Sequence, residues 1–155
     1  LRQTHRRKIM AITSAVCTSF KVEILKGVHD FTATTGNTFK IALYTSSATL
    51  GAGTTAYTTS NEITNSSGTA YTAAGATLTS VTPTSSSTTA ICDFADVSYT
   101  DASFTANGAL IYNDSASGDP AVCAIAFGSD KTVTSGTFTI QFPTADATNA
   151  IIRIA

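Results

Sequence analysis

Thirty threonines and seventeen serines, 47 of 155 residues, set the terms on which this chain can fold. Threonine is β-branched, so it loses rotamer freedom in a helix and packs well on a pleated surface. Charged residues make up only 12% of the chain, which leaves hydroxyls rather than long ionic side chains to cover its surface. The hydrophobic share of 43% is ample for a core, and a chain of 155 residues buries roughly 70% of the surface its unfolded form exposes. One mainly β domain is expected.

Hydrophobic patterning refines this. The segment from Thr13 or Ser14, either able to cap, to Lys26 reads as the one helix, with Val16, Cys17, Phe20, Ile24 and Leu25 on its inward stripe and Gly27 as its stop. Short strand candidates follow. Phe39, Ile41 and Leu43 alternate with Lys40 and Ala42, and Leu78 and Val81 flank a weaker strand that Pro83 is expected to end. Residues 90–99 carry a change of phase near Ala95 and Asp96 that suggests a bulge, and Asn107-Gly108 within 104–112 marks either a hairpin turn or a bulge. Residues 122–127 are apolar on both faces, as in a central strand. Phe138, Ile140 and Phe142 alternate after a Ser135-Gly136 turn, and Ile151, Ile152 and Ile154 form a last strand with Arg153 facing out. Between them, 46–75 is predicted to be a polar surface loop with a short strand or two near 56–58 and 70–72, the best place for outside contacts, and 82–89 a turn or loop tip. The pattern predicts an antiparallel β-sandwich or jelly-roll-like domain over 13–155, with one N-terminal helix as an accessory layer and a short basic arm over 1–12.

The net charge of −1 hides an asymmetry. Residues 1–9 hold Arg2, Arg6, Arg7 and Lys8 and no acid, while the remainder holds five bases against ten acids. The charge alone leaves three readings of the arm: docking on an acidic protein neighbour, contact with nucleic acid, or an incidental extension ahead of Met10. The first is favoured because the body offers no basic strip interleaved with aromatics, as nucleic-acid binding would need. Partner binding is therefore assigned to Arg2, Arg6, Arg7 and Lys8. No apolar run approaches the ~18 residues of a membrane span and no secretory signal is read, so no membrane association is expected.

Catalytic chemistry finds little to work with. His5 lies in the arm, and His29 has Asp30 beside it but no nucleophile elbow, so it reads as a helix-end histidine meeting the last carbonyls or solvent. Asp93 with Asp96, or Asp114 with Asp119, are the carboxylate pairs a glycosidase reading would need, but the second pair sits in a turn-rich segment where Asp is expected for turn chemistry. The Gly51–Gly53 stretch lacks the strand-to-helix setting of a phosphate loop. Cys17, Cys92 and Cys123 have no metal-ligand or redox spacing and read as small buried hydrophobes in a reducing compartment. No enzyme, no cofactor and no metal is expected.

Three stretches together resemble small virion structural proteins of tailed bacteriophages: FKVEILKGVHDFT with FKIALYTSSATLG, then NEITNSSGTAYTAAGATLTSV, then FADVSYTDASFTANGALIYND leading into AIAFGSDKTVTSGTFTIQFPTADATNAIIRIA. The resemblance covers nearly all of residues 20–155. It implies a structural role at the outer capsid surface of a virion, as in capsid decoration (cement) proteins, with the major capsid protein as partner. A homo-oligomer follows from shell symmetry, a trimer ahead of a dimer. The alternative is a tail or fibre component contacting the host surface, in which Tyr57 and Tyr71 would stack on glycans. A depolymerase is the least supported reading.

Overall fold

A computed structural model describes residues 11–64 and 70–155. The assigned partner residues Arg2, Arg6, Arg7 and Lys8 lie outside the described residues, as does most of the arm. Strands dominate: β1 (Ala15–Val16), β2 (Phe39–Tyr44), β3 (Ala76–Thr77), β4 (Ser80–Ser86), β5 (Thr89–Phe94), β6 (Val97–Asn113), β7 (Ala121–Ile140) and β8 (Ile152–Ile154), with one helix, α1 (Thr18–Leu25). They form a five-stranded sheet in the order β1-β7-β6-β2-β3 and a three-stranded sheet in the order β4-β5-β8, every named pairing antiparallel. The predicted mainly β, sandwich-like fold is the one observed.

The helix begins later than its sequence suggests. Ala15 and Val16 pair with Ala124 and Cys123 as a strand, and Ser14, instead of capping, accepts the Ala126 N–H on its hydroxyl at 2.9 Å. Cys17 occupies the cap position without a capping bond from its side chain, and its Sγ donates to Gly51 O instead. At the other end Gly27, at φ +70°, ends the helix as expected: its N–H reaches Ile24 O, and the Val28 N–H reaches Glu23 O, the pair of bonds of a Schellman motif. Eight residues form a marginal helix in water, so tertiary contact must hold it. Phe20 supplies that contact by entering a ring cluster with His29, Phe31, Phe39 and Phe94 that joins the two sheets; the Phe31 and Phe39 rings stack at 4.2 Å.

Where several short strands were expected, β6 and β7 run for 17 and 20 residues. Turn-like dipeptides are absorbed as irregularities inside them. Asn107-Gly108 sits at a register shift, where a side chain on Gly108 would meet Ile125 O at 2.5 Å and the Ile12 side chain at 2.8 Å. Ser135-Gly136 likewise lies within β7, with Ser135 at φ +45°. These kinks curl the β6–β7 ribbon so tightly that Phe127 and Phe138 approach to 6.2 Å. Ala95 and Asp96 are not a bulge; they form the corner where the chain leaves the smaller sheet for the larger, held by the Phe142 N–H on Asp96 Oδ1 at 2.9 Å. Pro83 does not end its strand, because β4 continues past it through a register shift between Val81 and Thr84, and the turn closes at Ser87 and Thr88.

The polar tract over 46–75 departs most from expectation. Among its described residues Ala48, Leu50, Ile63 and Tyr71 are buried. Neither expected strand forms; Ala56 makes an isolated bridge with Pro120. The tract seals the edge of β2 that β3 leaves open. Leu43 O accepts from the Ile63 N–H at 2.9 Å, the Leu43 N–H donates to the Tyr71 hydroxyl at 3.0 Å, and the Thr45 N–H donates to Asn61 O at 3.0 Å. A sheet edge closed by loop backbone and a phenol no longer offers itself for pairing.

Candidate interaction surface

Two clusters of polar side chains, centred on Glu62 and on His29, hold the fold in place. Glu62 is the centre of the first: Oε2 accepts from the Tyr57 hydroxyl at 2.6 Å, and Oε1 from the Tyr71 hydroxyl at 2.6 Å and the Ala74 N–H at 2.8 Å. The Tyr44 and Tyr112 hydroxyls donate to Thr58 O and Ala74 O, and the Tyr57 ring stacks on Tyr112 at 4.7 Å. Tyr71 is buried and so is no platform for sugars, while Tyr57 is half-buried with one face on Tyr112. Burial pushes all five tyrosines above their ordinary range, and Tyr99 reaches about 12.

His29 is the centre of the second. Its side chain is fully buried between the Glu23 carboxylate and the Asn113 amide, and meets neither solvent nor the last helix carbonyls, the two surroundings the sequence suggested. Asn113, itself fully buried, accepts the Ser115 N–H on Oδ1, which turns its Nδ2 toward His29 Nδ1 at 3.1 Å and Asn37 Oδ1 at 3.0 Å. An amide nitrogen only donates, so Nδ1 accepts and the imidazole proton sits on Nε2, facing Glu23 Oε2 at 2.9 Å. This ties the helix to the loop after it, and to the hairpin end of β6.

Of the remaining sequence candidates, Asp93 has a buried Oδ1 with no hydrogen-bond partner among the described residues, whereas the others are engaged. Asp114 pairs with Lys40 at 3.1 Å, Asp119 O accepts the Tyr57 N–H, and Asp96 holds the sheet corner. Cys17 and Cys123 are buried and Cys92 half-buried; all three are free thiols, with burial pushing Cys17 and Cys92 up to about 11 and Cys123 to about 12. Among the described residues no group of three or more His, Cys, Asp or Glu is placed to hold a metal ion, and no helix is long and apolar enough to cross a membrane.

The described surface carries an apolar groove along β7 and the segment after it, lined by Phe127, Phe138 and Phe142, and another between α1 and the edge strand β8 that gathers exposed side chains. Phe20 and Ile24 share the inward face of the helix, one turn apart, which sends Leu25 outward, contrary to its predicted place on the inward stripe. Leu25 is 88% exposed, Val22 48% and Ile154 54%, three of the four exposed large hydrophobics among the described residues. Leu25 and Ile154 line the α1–β8 groove, of about 590 Å³, together with Ile24, Ile152, Lys21 and Arg153. The Arg153 guanidinium is fixed by donating to the carbonyls of Ala147 and Thr148. A contiguous apolar patch rimmed by polar groups marks an interaction site more strongly than scattered exposed side chains do. Sequence reasoning missed it, because Leu25 and Ile154 are brought together only by the β5–β8 pairing and the packing of α1. The fold is that of a β-sandwich-like domain, with an apolar groove between α1 and β8 on its surface. No family model, curated protein or solved structure matches the chain.

Proposed function

We propose that this chain is a non-enzymatic virion structural protein, a capsid decoration (cement) protein that binds the assembled shell of a tailed bacteriophage from outside and stabilises it. The observation that carries the reading is the gathering of exposed apolar side chains at the α1–β8 groove, on a body whose other surface is largely hydroxyl-bearing. The polar clusters that could have suggested turnover are engaged in holding loops and strands, which favours adhesion as the working property. The major capsid protein is the partner this reading names, with a homo-oligomer, a trimer ahead of a dimer, seated where shell subunits meet. A tail or fibre role loses Tyr71, one of the two tyrosine platforms it would use on glycans.

A decoration protein binds assembled shells and not free subunits, so it raises shell stability by mass action. The test is co-sedimentation of the purified chain with intact and with dissociated capsids, together with copy number per particle by quantitative mass spectrometry. Saturable binding to intact shells and hundreds of copies are expected. A handful of copies at the tail, or none in mature particles, refutes the reading.

A further inference from the structure

The α1–β8 groove has a charge as well as a shape. Outside residues 1–9 the chain has five bases and ten acids. Lys40 is paired with Asp114, whereas Lys21 and Arg153 line the groove and Lys26 follows Leu25 at the end of the helix. The one acid of α1, Glu23, is turned to His29. An acidic body has thus placed two of its five cations in the lining of this groove, with Lys26 at the adjoining helix end and the Asp146 carboxylate near Arg153.

We infer that this groove docks an acidic segment of a partner protein, whose apolar side chains sit between Leu25 and Ile154 while its carboxylates face Lys21, Lys26 and Arg153. The inference rests on the adhesion reading and adds the face and the partner's chemistry. A second copy using the same face would set these cations against their own kind, and residues 1–9 carry four further positive charges, so neither is the occupant. A lipid surface is a weaker match, because a concave groove of about 590 Å³ accepts protruding side chains rather than a flat sheet of headgroups.

The probe is an amphipathic peptide with leucine on its apolar face and glutamate at every polar position, compared with a counterpart carrying lysine, by backbone amide NMR titration of the full chain. The glutamate peptide should bind at least tenfold more tightly, weaken with added salt, and shift the amides of Val22, Leu25, Arg153 and Ile154. The double variant Lys21→Glu/Arg153→Glu should reverse the preference, an outcome only a folded variant can give. Equal binding of both peptides, shifts centred elsewhere, or stronger attachment to vesicles containing phosphatidylserine than to the peptide overturns the inference. If the wild-type chain decorates intact capsids and the double variant does so equally well, the groove is refuted and the adhesion reading survives. If the wild-type chain binds the glutamate peptide at the groove but not capsids, the adhesion reading is refuted and the assignment of the groove to an acidic segment is supported.

Discussion

Replacing Glu62 should cost this protein more stability than replacing any other acid. Its carboxylate accepts two tyrosine hydroxyls at 2.6 Å and the Ala74 N–H at 2.8 Å, and these bonds are what hold 46–75 against the edge of β2. A hydrogen bond to a charged group contributes about 1.5–3 kcal/mol, and bonds sharing one acceptor are not additive. Glu62→Ala should therefore lose about 4 kcal/mol, which for a domain of this size lowers Tm by about 10 °C. Glu62→Gln keeps one acceptor oxygen and should lose about 1–2 kcal/mol. Urea denaturation followed by circular dichroism gives both values. The coupling is checked by a double-mutant cycle with Tyr57→Phe, where an interaction energy near 1 kcal/mol or more is expected. A Glu62→Ala protein within about 1 kcal/mol of wild type would show that the tract is held without Glu62, by its backbone bonds to β2 and the apolar burial of Ile63 and Leu50.

Asn113→Ala removes a fully buried amide that serves Ser115, His29 and Asn37, and should destabilise by about 2–3 kcal/mol in the same denaturation assay; a loss below about 0.5 kcal/mol would mean the loop and helix hold themselves. In alkali, thiols near 9 and tyrosines near 10 lose protons in the unfolded chain while the fold keeps them protonated to about 11 or 12, so stability is full below pH 9 and falls as pH rises through that window. Tyrosinate absorbance should accordingly appear together with loss of circular dichroism, and reversible ionisation near pH 10 with the fold intact would contradict the burial. Deleting residues 1–9, which carry four positive charges, should weaken attachment to capsids in a salt-dependent way and leave Tm unchanged; unchanged affinity across salt would assign the arm no electrostatic part.

Local signals were legible where local physics decides. Gly27 closes the helix because a left-handed residue is needed there, and the double-faced apolarity of 122–127 matches a strand covered on both faces, where the successive residues Val122, Cys123 and Ala124 are all buried. The helix start was not legible, because Ser14 has a competing partner, Ala126, more than a hundred residues away. Asn107-Gly108 carries a turn signal, but its glycine is required by the closeness of Ile12 and Ile125, which only the tertiary fold imposes. The polar tract hid its role for a related reason: its anchors are single residues, Ile63 and Tyr71, joined through Glu62 and lacking any period to recognise. The groove was invisible in the sequence since its two walls lie at opposite ends of the chain.

The two edges of the small sheet are unlike. β4 carries Pro83 and a register shift, both of which spoil the regular row of donors and acceptors that an incoming strand would need, whereas β8 ends beside the apolar groove. Copies brought close together could otherwise pair through exposed strands and grow into ribbons. With one border blunted in this way, the small sheet cannot be extended from both sides at once, which breaks the head-to-tail repeat that a fibre requires.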